Sequence, residues 1–316
     1  WVKQRYDLVV AKEMINFVPG IVPGIGMAMN CFTQKGDKVM IQPPVYHPFA
    51  WVTTRNERTL VTNPLKWENG MYRMDLDTFR EQIKGCKLFI LCNPHNPGGV
   101  VWTEAELRAI ADICYDEKVL VFSDEIHADL TLPPHTHRPF ATVSEKARMN
   151  SVTFMSPSKA FNMPGLSASH ALIFNEDLRK RFRIYMDAGE LDMGHVFAFL
   201  SVEAAYSHGT EWLDQCLAYI QGNIDFVDDF LKNHAPKIKA IRPEASYLVW
   251  LDCRELKLSQ KDLNEFFVDK AHLALNDGEM FGKEGIGFMR LNVASPRCII
   301  EKAMKQLADA YQLYIK

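Results

Sequence analysis

The sequence predicts an α/β protein: a mostly parallel sheet flanked by helices, followed by a smaller C-terminal α+β domain. Three observations carry that prediction. Short apolar runs such as 87–92 (KLFILC) and 119–122 (VLVF) have the character of strands buried on both faces. Between them stands a helical pattern opened by a capping box, Thr103-Glu104-Ala105-Glu106. Strand, helix, strand with short connections implies right-handed crossovers and parallel pairing.

The elements follow in order. Residues 38–42 (KVMIQ) and 87–92 read as buried strands. Leu107, Ile110, Ala111 and Cys114 recur at helical spacing after the capping box. Residues 119–122, 151–155 and 171–174 continue the strand series. Near residue 195 the rhythm stops. Leu213, Cys216, Leu217, Ile220, Ile224, Val227 and Leu231 then form one apolar stripe on a long helix. Residues 247–251 (YLVWL) read as a strand, and a helix is expected from about Lys261. Ser295-Pro296 opens the last helix as N-cap and first helical residue, with Ile299, Ile300, Met304, Leu307 and Tyr311 on its buried face. The expected division is a large domain over 1–210 and a linking helix with the small domain over 211–316.

Composition narrows the function classes. The 316 residues are 47% hydrophobic and 24% charged, which excludes a disordered or collagen-like chain. Thirty-six basic against 39 acidic residues leave a net charge of −3, so nothing in the charge balance favours nucleic acid or a membrane surface as partner. No apolar stretch approaches the roughly 18 residues that span a bilayer. The seven cysteines are odd in number and lack zinc or redox spacing. They read as reduced, partly buried thiols of a cytoplasmic protein. His135 and His137 read as loop residues, not metal ligands, because no carboxylate lies at ligand spacing.

In an open parallel sheet, ligands sit beyond the carboxyl ends of strands. After 87–92 comes Asn93-Pro94-His95-Asn96-Pro97-Gly98-Gly99. After 119–122 comes Ser123-Asp124-Glu125-Ile126-His127, and after 151–155 comes Ser156-Pro157-Ser158-Lys159. One rim thus receives an amide, a carboxylate with an imidazole, and an amine with hydroxyls. A lysine in a polar cleft can lose its proton and condense with an aldehyde. An aspartate beside a pyridine nitrogen keeps that nitrogen protonated, which makes the ring an electron sink. An asparagine can donate to a ring phenolate, and hydroxyls with helix-start N–H groups can hold a phosphate. The set suits pyridoxal 5'-phosphate.

With these motifs the sequence resembles the fold-type I pyridoxal-phosphate enzymes, the aspartate aminotransferase superfamily, and within it the MalY/PatB group of C–S β-lyases, which includes cystathionine β-lyases. The resemblance rests on 92–102 (CNPHNPGGVVW), 123–130 (SDEIHADL), 156–166 (SPSKAFNMPGL) and 289–297 (MRLNVASPR) and runs the length of the chain. It implies that Lys159 carries the cofactor and shuttles the substrate Cα proton. It implies that Asp124 pairs with the pyridine nitrogen and that Asn96 contacts the phenolic oxygen. By the same resemblance His127 stands where many aminotransferases place a tyrosine near that oxygen, and Tyr46 is expected to stack on the ring. Gly20, Ile21 and Val22 offer helix-start N–H groups to the phosphate, with hydroxyls from Ser156 and Ser158. Arg290 grips the substrate carboxylate.

Two departures stand out. The common Asn-Pro-Thr-Gly turn is Asn96-Pro97-Gly98-Gly99 here, which is expected to loosen the turn. The phosphate-binding arginine of many aminotransferases is absent from 165–169 (GLSAS), which favours the lyase group. The expected activity is cleavage of cystathionine or similar S-substituted cysteines to a thiol, pyruvate and ammonia. An aminotransferase remains the alternative, and a second role binding a transcription regulator a further one. The resemblance also implies a homodimer. The chain opens at Trp1 as if inside a helix, and roughly seventy residues precede that point in the family. An incomplete small domain and active-site wall are therefore expected.

Overall fold

The computed structural model describes residues 1–314. Its strands are β1 (Ile15–Val18), β2 (Lys38–Ile41), β3 (Thr59–Thr62), β4 (Lys66–Glu68), β5 (Met71–Arg73), β6 (Cys86–Cys92), β7 (Leu120–Asp124), β8 (Ser151–Met155), β9 (Ser169–Leu172), β10 (Lys239–Ile241), β11 (Leu248–Asp252), β12 (Asn276–Asp277) and β13 (Phe288–Asn292). The α-helices are α1 (Val2–Tyr6), α2 (Ile21–Phe32), α3 (Pro48–Arg55), α4 (Leu76–Gln82), α5 (Glu104–Asp116), α6 (Glu145–Met149), α7 (Glu176–Asp187), α8 (Val196–His208), α9 (Thr210–His234), α10 (Gln260–Glu265) and α11 (Arg297–Tyr314).

The large sheet has the order β1-β9-β8-β7-β6-β2-β3. Five neighbouring strands, β3 to β8 in that order, pair in parallel, whereas β9 runs antiparallel to both β8 and β1. The fold is therefore the mostly parallel sheet that the sequence predicts. The reversal at β9 has a simple cause. No helical crossover separates it from β8; the connection is the loop that carries Lys159, and an antiparallel partner needs no crossover. The strand expected at 171–174 accordingly lies two residues earlier.

Period-two alternation divides the core. Leu88 and Ile90 of β6 face Ile25, Met29 and Phe182 of α2 and α7. Phe89 and Leu91 face Phe79, Leu107, Ile110 and Cys114 of α4 and α5. Helix α5 starts at its capping box: Thr103 Oγ1 accepts from Glu106 N at 3.2 Å, and Glu106 Oε2 accepts from Thr103 N at 2.8 Å.

The second sheet is antiparallel, in the order β10-β11-β13-β12. Val249 and Leu251 pack under α9 and α11. Trp250, between them, turns to the other side, stacks on Phe288 at 5.2 Å and joins the core beneath α5. Alternation in one strand thus ties the two sheets together.

Three details differ from expectation. Helix α11 begins at Arg297, because the Pro296 carbonyl takes its first helical bond, from Ile300 N at 3.3 Å. Pro296 is thereby the cap residue, not the first helical one. Ile299 is half exposed, and Ile300 carries the packing. The stripe on α9 also contains a buried polar residue, Asn223. Its Nδ2 donates to the carbonyls of Val293 and Ser295, and its Oδ1 accepts from Arg297 Nε, so it is satisfied as a staple between helices.

Candidate active site

The carboxyl ends of β6, β7 and β8 open into a cavity of about 370 Å³, lined by Asn96, Asp124, His127, Ser158 and Lys159, with Tyr46, Gly20, Ile21, Val22 and Arg290 around them. Ten of the eleven residues singled out in the sequence meet in this one space. The eleventh, Ser156, stands behind it. Its hydroxyl donates to the Ala168 carbonyl at 2.7 Å and accepts from Ser158 N at 3.1 Å, with Ser158 Oγ 2.9 Å away, so it supports Ser158 from beneath.

Asp124 ends β7 and is buried. Burial raises its pKa to about 7, against the pull of the Ile126 N–H that donates to Oδ1 at 3.0 Å. His127, three residues on, is pushed down to about 3, mostly by burial, and is therefore a neutral imidazole at physiological pH. Its Nδ1 is buried without a hydrogen-bond partner.

Arg290, on β13, reaches across from the second sheet. Nη1 donates to Asn96 Oδ1 and Nη2 to Asn276 Oδ1, each at 2.8 Å, while Nε is buried and unpartnered. Because arginine only donates, the Asn96 carbonyl must face it, which leaves the Asn96 NH₂ free to donate elsewhere. Burial lowers Arg290 to about 10, so it stays a cation at neutral pH, 4.6 Å above the Phe281 ring.

Gly20 caps α2 at φ +133°, a region that only glycine adopts easily. Its carbonyl takes the first helical bond, from Gly24 N, so the N–H groups of Ile21 and Val22 have no partner within the helix. Helix start, Ser158, Ser167 and Ser169 line the same cavity. The last two stand where the sequence comparison looked only for an arginine. Tyr247, Ile126 and Asn292 also line the cavity and were missed. Tyr247 packs edge-on to His127 at 6.2 Å, which no local pattern announces.

Two expectations fail. The Asn96-Pro97-Gly98-Gly99 turn is held tightly: Gly99 N donates to the His95 carbonyl, and His95 N to that of Val100, both at 2.8 Å. A Cβ on Gly98 would meet Tyr72 Cδ2 at 2.8 Å and His95 Nδ1 at 2.9 Å, so the missing threonine reflects space already filled. His137 is no plain loop residue either. It is buried, with Nε2 2.8 Å from Glu125 Oε2, a carboxylate close in space rather than at ligand spacing.

Lys159 also lines a second cavity, of about 310 Å³, with Trp212, Cys216, Tyr219 and Ser295. That lining holds no carboxylate and no cation other than Lys159.

Residues 1–307 match the family described as aminotransferase class I and II. The chain belongs to that family. Members of the family depend on pyridoxal 5'-phosphate. Among its relatives, cystathionine beta-lyase PatB of Bacillus subtilis is 38% identical over 98% of this chain and 81% of its own length. Protein MalY of Escherichia coli is 29% identical over 98% and 80%. Cystalysin from Treponema denticola, solved with a pyridoxal 5'-phosphate cofactor, superposes with a TM-score of 0.96 at 35% identity, covering 99% of this chain and 80% of that one. A pyridoxal-phosphate-bound C–S lyase from Staphylococcus hominis gives 0.91 at 33%, covering 98% and 79%.

Proposed function

We propose that this aminotransferase class I and II family member is a C–S β-lyase that cleaves S-substituted cysteines to a thiol, pyruvate and ammonia. One observation carries the site reading. A lysine, a buried carboxylate, an amide donor and an arginine share one cavity, and its helix-start N–H groups and two buried nitrogens have no partner in the protein. The residues fit pyridoxal 5'-phosphate: an anion for the helix start, a protonated ring nitrogen for Asp124, and an acceptor for the free NH₂ of Asn96. The lyase relatives set the choice of reaction.

When bound, pyridoxal phosphate supplies an aldehyde and an electron-withdrawing ring for a carbanion. The chain's own groups do the rest. Lys159 Nζ would hold the cofactor and would take the Cα proton of the substrate as general base. Asp124 would hold a proton at the pyridine nitrogen, its raised proton affinity suiting a shared proton. Arg290 receives the substrate carboxylate through its free Nε–H and the remaining hydrogens of its fork. Tyr46 and Ile126, which line the cavity, would flank the cofactor. With Cβ–S cleavage the thiolate leaves with the bonding pair, and the overall balance is S-substituted cysteine plus water to thiol, pyruvate and ammonia. The second cavity beside Lys159 offers room for the sulfur substituent.

Pyruvate release from L-cystathionine tests the reading. Lys159→Ala should reduce it by at least about 10³-fold, the scale of losing a positioned base. Amino-acid-dependent keto-acid exchange without pyruvate would instead make the protein an aminotransferase.

We also propose a homodimer. Its support is the exposed apolar surface of α8 and of Met193, three residues before it, with Phe197 66% and Met193 78% exposed. No helix of the described residues is long and apolar enough to cross a membrane, and the seven cysteines are free. Both accord with our assignment to the cytoplasm.

A further inference from the structure

We propose that Glu125 and His137 are positioning residues: their buried pair fixes the back of the turn whose front presents Asp124 and His127 to the cofactor cavity. The inference rests on the cavity being the pyridoxal-phosphate site and goes beyond it, since neither residue lines that cavity.

The turn after β7 has two sides. Asp124 and His127 face the cavity, while Glu125 and Asp129 face away from it and are engaged elsewhere. Glu125 exposes no side-chain surface, and neither does His137. An acid in such a place is costly unless every oxygen is met. Here each is. Oε1 accepts from Ser123 Oγ and from Phe140 N, both at 2.8 Å, and Oε2 faces His137 Nε2 at 2.8 Å. One carboxylate thereby joins the end of β7 to the 137–140 loop.

The second acid repeats the device. Asp129 accepts from Trp1 Nε1 at 2.9 Å and from the Tyr6 hydroxyl. The Tyr6 ring meets His137 edge-on at 5.4 Å. The two anchors thus share a wall, and the turn between them is pinned at both ends. A pair serving only stability could sit anywhere in the core. This one adjoins Asp124 in the chain, and its carboxylate charge adds to the proton affinity that burial gives Asp124.

The test strips the holoenzyme of pyridoxal phosphate and titrates it back, reading cofactor affinity, the visible circular dichroism of the bound cofactor and the unfolding midpoint of the apoprotein. In His137→Phe, affinity should fall at least about tenfold and the dichroic band should change, the scale of one mis-set hydrogen bond. His137→Gln, which can still donate to Glu125, should restore affinity to within about threefold of wild type. An unchanged His137→Phe, or a His137→Gln no better than it, overturns the inference. Should His137→Phe not fold, Glu125→Gln decides: a change in affinity beyond about threefold or an altered band supports positioning, and neither overturns it. A wild-type protein that binds no pyridoxal phosphate would instead refute the underlying reading of the cavity.

Discussion

Asp124 is a carboxyl group that its surroundings make reluctant to ionise. Burial raises it from 3.8 to about 7. A group whose folded pKa is raised contributes stability at low pH and loses it as pH rises through the folded value. In the apoprotein that loss should run from about pH 4 to pH 7 and amount to about 4 kcal/mol at most. Asp124→Asn removes the titration, so its unfolding free energy should gain on wild type across that window; parallel curves would rule the effect out. Gly98→Thr supplies the side chain common in the family into filled space and should destabilise by about 1–3 kcal/mol, read as a lowered unfolding midpoint. Asp124, Lys159 and Asn96 were legible because each follows an apolar run, and the end of a buried strand has a known place in the fold. Glu125 and His137 were not, because twelve residues separate them and only the folded loop brings imidazole to carboxylate.

At the scale of elements, the start of α2 is the sharpest device. Gly20 at φ +133° opens a helix whose first residues, Ile21 and Val22, line the cavity and whose N–H groups there have no partner within the helix. Gly20→Ala should cost about 1–2 kcal/mol in backbone strain and weaken pyridoxal-phosphate binding by about tenfold. Reconstitution titrations would show it, and unaltered binding would remove the helix start from the cofactor site. The long central strands were legible because burial on both faces leaves continuous apolar runs. Short pieces such as β12, at two residues, leave no period to detect. The direction of β9 depends on what the preceding loop does, which propensity does not encode. Asn223 broke the stripe of α9 because its partners are carbonyls 70 residues away.

At the scale of the molecule, the exposed apolar side chains of α8 make the proposed homodimer testable. Phe197→Glu should shift the light-scattering mass from two chains toward one; a wild-type mass of one chain would exclude the dimer. The two sheets of each chain are linked by the Trp250 core, by backbone bonds such as Glu244 N to the Gly99 carbonyl, and by the bond from Arg290 to Asn96. That bond is also a latch. A substrate carboxylate arriving at Arg290 would take the free Nε–H and the remaining hydrogens of the guanidinium that also holds the Asn96 carbonyl. Filling the site therefore loads a residue that also fastens the two sheets, so the substrate handle and part of the seam are one side chain.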